Sequence, residues 1–145
     1  MKVNERRPNQ IVDVIERLVG RLAGKAVAVL GITFKPGTDD IRDSPAVALI
    51  EHLRARRCLV RAFDPLLVKE GAAHSPVPLS STPETALIGA DAAVIATGWP
   101  EFCDWEWDRL SRLMRSPVIV DGRGTLRNVR LPSSVRYWSI GRTVE

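Results

Sequence analysis

The apolar positions of this chain change period as it runs. Ile11, Val12, Ile15, Leu18, Val19 and Leu22 recur at three- and four-residue spacing after Pro8. That spacing predicts an amphipathic helix, with Gly24 as its stop. An unbroken apolar run follows, Ala26 to Leu30, closed by Gly31; this is the pattern of a parallel strand buried on both faces. Helical spacing returns with Ala46, Leu49, Ile50 and Leu53, while Glu51, Arg54 and Arg56 occupy the solvent face. Ser44 suits the N-cap and Pro45 the first turn, so a helix is predicted over 44–57.

Residues 58–63 read as a second strand, ended by Asp64-Pro65. Residues 65–82 are rich in Pro, Ser, Gly and Ala and predict a loop around a short edge strand, Val77 to Leu79. Thr82-Pro83-Glu84 opens a short helix ending at Gly89. ADAAVIAT over 90–97 is a further central strand, followed by a helix over 104–114 and strands over 117–120 and 135–140. Strands alternating with helices through short connections define an α/β fold: a three-layer, open, mostly parallel, Rossmann-like sheet of about six strands with helices on both faces. Ligands of such sheets sit outside the carboxyl ends of the strands. Lys35, Arg42, Thr97 and Arg123 all follow strand ends.

Composition narrows the function. With 145 residues the chain is long enough for one sizeable core. Neither an apolar run long enough to cross a membrane nor a secretory leader is expected, which places the chain in the cytoplasm. Cys58 and Cys103 lack metal-ligand spacing and read as free thiols. The net charge is +4, and seventeen arginines outnumber four lysines without forming a run. No basic stripe with interleaved aromatics is visible, which argues against nucleic acid.

The loop between Gly31 and Pro45, ITFKPGTDDIRDS, joins a strand end to a helix start and carries Lys35 and Arg42. Backbone N–H groups and the helix dipole favour an anion there. Asp39 and Asp40 suit fixing the loop, with Arg42 as an ion-pair partner, better than acid catalysis. Asp64 occupies the place of a ribose-binding carboxylate, but G-x-G-x-x-G is missing after the first strand, so a turn role fits better. Arg123 sits between glycines at a strand end, open to a ligand. Trp99 and Phe102 read as packing at the sheet edge, and Trp105 and Trp107 as helix packing.

GITFKPGTDDIRDSPAVALI closely resembles the signature of the C-terminal domain of the UDP-glucose/GDP-mannose 6-dehydrogenase family. Phe63-Asp64-Pro65, ADAAVIATGWPEF and PVIVDGRGTL resemble later motifs of that domain in the same order, over roughly residues 4–140. The resemblance implies a nucleotide-sugar-binding domain, residues 25–145, behind a lead-in and helix, 1–24, from the end of the family's central domain. It implies that Lys35 and Arg123 bind the UDP-sugar or GDP-sugar and that Arg42 reaches toward NAD. Family members oxidise C6 of the sugar with NAD through a cysteine whose glycine-rich motif is absent here. No catalytic or metal-binding residue is therefore expected, and no cofactor for the chain alone. The missing NAD and central domains, or another copy of the chain, are the expected partners. The competing reading is a non-binding scaffold or interaction module of the same fold.

Overall fold

The computed structural model describes residues 6–33, 44–70 and 78–140. Its elements are α1 (Arg6–Val19), β1 (Ala26–Leu30), α2 (Pro45–Ala55), β2 (Leu59–Phe63), α3 (Pro65–Glu70), α4 (Pro83–Leu87), β3 (Ala92–Ile95), a 3₁₀ turn (Pro100–Asp104), α5 (Trp107–Leu113), β4 (Val118–Asp121) and β5 (Arg136–Ser139). The strands form one sheet in the order β2-β1-β3-β4-β5, and every pairing is parallel. The strands number five among the described residues, not about six. The segment expected as an edge strand contributes only an isolated bridge, Leu79 to Ala62, with Val77 outside the described residues.

Alternation along each strand sorts side chains onto two faces. Val27, Val29, Val94, Val118 and Val120 face α1 and α2 with Ile11, Ile15, Leu49, Ile50 and Leu53. Ala28, Leu30, Ala93, Ile95 and Ile119 face the layer of α4 and α5, with Leu87, Phe102, Trp107 and Leu110. Burial on both faces explains why the strands read as continuous apolar runs.

Three predicted boundaries shift. The first helix stops at Gly20, φ +86°, whose N–H bonds Glu16 O; Gly24 instead turns the chain into β1. Pro65–Glu70 is helical, not loop, because Asp64 caps it: its Oδ1 accepts from Leu66 N and Leu67 N at 3.0 and 3.1 Å. The helix expected from 104 splits into the 3₁₀ turn and α5, with Trp105 extended and Glu106 at the N-cap position of α5 between them. No helix among the described residues is long and apolar enough to cross a membrane.

Candidate functional site

The order of strands reverses between β1 and β3, the point at which doubly wound sheets open a crevice for ligands. Here that crevice is stitched shut. The Thr97 hydroxyl donates to Thr33 O, and Gly31, φ +89°, lies so close that an added Cβ would meet three Thr97 atoms at 2.6–2.8 Å. Only glycine can make that approach and hold that φ. Trp99, half-buried, donates its indole N–H to Asp64 Oδ2 at 3.2 Å across the same rim.

Asp64 completes the closure. It is fully buried, and its Oδ2 also accepts from Ile32 N at 2.7 Å, Thr33 N at 3.0 Å and the Thr33 hydroxyl at 3.3 Å. With Oδ1 spent on α3, no lone pair remains for a ribose. The turn role therefore falls to Asp64 in a stronger form than a simple turn, since it ties β1, β2, α3 and Trp99 together.

The opening lies one strand further along. Pro8 and Ile11 of α1, Pro45 and Leu49 of α2, and Ala96, Gly122 and Arg123 at the ends of β3 and β4 line a small, partly open cleft. Arg123 is exposed at its rim. Its position is set by Asp121, a fully buried carboxylate at the end of β4. Asp121 Oδ1 accepts from Arg123 N and Thr125 N, each at 3.1 Å. Its Oδ2 accepts from Leu126 N at 2.7 Å and from the Tyr137 hydroxyl at 2.6 Å. A carboxylate that gathers three backbone N–H groups folds the 122–126 turn back on itself and leaves the guanidinium outside. Burial, then the bond to Asp121, holds the Tyr137 phenol well above its ordinary value.

Lys35, Arg42, Asp39 and Asp40 lie outside the described residues. The residues that bracket them are placed at this same edge. Ser44 donates to Ile32 O at 2.6 Å and accepts from Ala46 N at 3.1 Å, which caps α2 and sets Pro45 in the cleft wall.

The remaining candidates are structural. Phe102 is fully buried, and Trp105 stacks between Phe63, Phe102 and Trp107 at centroid distances of 5.5, 4.7 and 5.5 Å. Both cysteines are free thiols, Cys58 against Leu22 O and Cys103 against Thr125 O. Burial pushes both thiols up, which keeps them protonated and poor as nucleophiles. No cluster of metal-ligating side chains occurs among the described residues.

Sequence reasoning passed over Asp121 and gave Thr97 only its place at a strand end. Asp-Gly ending a strand was the available signal for the first; nothing local announces the second, whose partner lies 64 residues away.

A parallel sheet with a cleft and an outward arginine at its carboxyl edge defines an open α/β domain, the class whose ligands sit at that edge. The family described as UDP-glucose/GDP-mannose dehydrogenase family, UDP binding domain, matches residues 28–128. The chain belongs to this family and corresponds to its C-terminal, UDP-binding domain. It is 37% identical to the UDP-glucose 6-dehydrogenase of Rickettsia conorii, over 99% of this chain and 34% of that protein. The Bacillus subtilis UDP-glucose 6-dehydrogenase YwqF is 34% identical over 98% of this chain and 33% of that protein. The UDP-D-ManNAc dehydrogenase structure from Pyrococcus horikoshii superposes with a TM-score of 0.78 at 32% identity, over 96% of this chain and 32% of that one. The chain thus spans about a third of the length of the curated relatives it matches.

Proposed function

We propose that this chain is the nucleotide-sugar-holding part of a UDP-sugar 6-dehydrogenase and does no chemistry by itself. The observation that carries the reading is the cleft at the ends of β3 and β4, with Arg123 at its rim, inside the span that matches the UDP-binding family. Arg123 offers a planar fork of donors suited to a diphosphate. Lys35 supplies a second cation from the segment between Thr33 and Ser44. UDP-sugars are favoured over GDP-sugars because the family description and the relatives named above are UDP-linked.

NAD, implied for the family's dehydrogenases, does not fit this sheet as its own cofactor. The carboxylate that would take a ribose is saturated by protein donors, and the crevice at the switch point is filled by Thr97 against Gly31. Arg42 reaching a dinucleotide held by another domain is the role we assign to it. With both thiols held protonated, the covalent nucleophile is also assigned outside this chain, and a cytoplasmic location suits two reduced cysteines. The division at 24/25 is proposed as one of origin, between a linker helix and the sheet domain.

Titration calorimetry of the 145-residue chain with UDP, UDP-glucose and GDP-mannose tests this. Saturable heat with the UDP ligands is expected, weaker than in an intact enzyme by about 10²–10³-fold if another domain supplies about 3–4 kcal/mol of contacts. Arg123→Ala should weaken it a further ~10–100-fold, the worth of one charge-assisted contact of about 1.5–3 kcal/mol. A folded chain that gives no heat with millimolar UDP, and melts identically with and without it, would leave the scaffold reading standing instead.

A further inference from the structure

The edge of the sheet opposite the cleft, where the strands begin, is strongly cationic. Backbone contacts bring its members together: Gly24 N bonds Arg57 O at 2.9 Å, Lys25 Nζ bonds Arg21 O at 3.0 Å, and Arg136 N bonds Pro117 O at 2.9 Å. Arg115 N bonds Ala90 O at 2.8 Å, beside Asp91, which ties β3 to the start of β1 through Ala26 N. Arg21, Arg57, Arg115 and Arg136 are exposed. Of the carboxylates near them, Asp91 is buried, already accepts from Ala26 N and stands 3.9 Å from Arg115, and Glu16 is taken up by Arg56 at 3.0 Å.

Two further observations single out this edge. Leu59 and Ile88, 64% and 56% exposed, are the large apolar side chains left open among the described residues, and both lie here. Leu59 begins β2 on the face that carries Arg61, and Arg61 reaches Thr85 O in α4, the helix that Ile88 ends. The second is backbone strain. Arg57 follows the C-cap of α2 with φ +67°, the one non-glycine at positive φ among the described residues. Glycine is the residue this position ordinarily takes. An arginine kept there at a conformational cost points to a use for its side chain.

We propose that this edge docks an acidic peptide segment of a partner protein that also carries aliphatic side chains. Arginines match carboxylates through paired donors, and Leu59 with Ile88 supply the apolar contact beside them. Nucleic acid would call for exposed aromatics, and the tryptophans here are buried or half-buried against the two core clusters. The docking surface and the nucleotide cleft occupy opposite edges, so the two bind independently.

The test is fluorescence anisotropy of the 145-residue chain with a labelled peptide of sequence Glu-Glu-Leu-Glu-Glu-Ile-Glu-Glu. Saturable binding is expected that weakens several-fold between about 0.05 M and 0.3 M NaCl. Arg57→Gly should weaken it about 3–10-fold while raising the melting temperature, so lost binding cannot be confused with lost folding. Arg115→Glu and Leu59→Ser should weaken it as well, with the heat of UDP binding unchanged. No saturable binding by the folded chain, binding indifferent to Arg57→Gly and Arg115→Glu, or tighter binding of an oligothymidylate or of anionic phosphatidylglycerol vesicles would each overturn the proposal.

Discussion

At the scale of single residues, two buried aspartates organise the carboxyl edge by the same device. Asp64 and Asp121 each stand at the end of a strand, are fully buried, and fill both oxygens with backbone N–H groups, Asp121 with those of the turn that follows it, Asp64 with those of α3 and of the segment after β1. A charge taken out of water is tolerated only when its lone pairs are filled, and here protein donors fill them. The two differ in consequence: Asp64 closes an opening, whereas Asp121 presents Arg123 beside one. Tyr137→Phe tests the second knot. Losing the hydroxyl removes a bond to a charged acceptor, so the variant should be less stable at pH 7 by about 1.5–3 kcal/mol, read from urea midpoints. The pH dependence follows from the raised phenol. Its stabilising contribution is present below the unfolded value near 10 and is lost as pH rises toward the higher folded value. The gap between the two proteins should therefore narrow above pH 10, and a constant gap would sink the account.

At the scale of elements, α2 shows how one side chain joins helix, strand and cleft. Ser44 caps the helix as Asp64 caps α3 and Thr82 caps α4, yet its hydroxyl also donates to Ile32 O. Ser44→Ala should cost about 1–3 kcal/mol, the cap plus a buried carbonyl left unpaired. Thr82→Ala, at an exposed cap with no second tie to the sheet, should cost about 0.5–1 kcal/mol. Thermal melts of the pair check the ranking; equal losses would mean that the Ile32 bond contributes nothing. The exposed network of Arg109 with Glu84 and Glu106 is worth less than either cap in ordinary salt.

At the scale of the whole molecule, the lead-in helix is part of the fold. Ile11, Val12, Val14 and Ile15 of α1, with Leu22 beyond it, are buried against the sheet, α2 or both. At about 1.5–3 kcal/mol per buried aliphatic side chain, they stabilise by roughly 8–15 kcal/mol as an upper bound, comparable to the net stability of a domain. A chain beginning at Lys25 should lose its cooperative melt and bind a hydrophobic dye. A sharp transition like that of the full chain would show instead that 25–145 folds unaided. Pro8 and Ile11 also line the cleft, so nucleotide binding should fall along with stability.

The alternation of strand and helix, the caps at Ser44 and Thr82, and the place of the cleft at the carboxyl edge could all be read along the chain, because each depends on residues within a turn or two of one another. Gly31 was readable as a strand end but not as a contact point, since Thr97 arrives from a different strand. The loop after Asp64 was misread for a related reason: its composition favours irregular backbone, and only a capping carboxylate anchored by Ile32, Thr33 and Trp99 makes it helical. By itself, then, the order of amino acids determined the α/β class, the strand direction and the family, because periodicity and motifs are local and cumulative. The tertiary structure alone decided which crevice is open, because closing one between β1 and β3 and leaving one between β3 and β4 depends on atoms brought together from 30 to 60 or more residues apart.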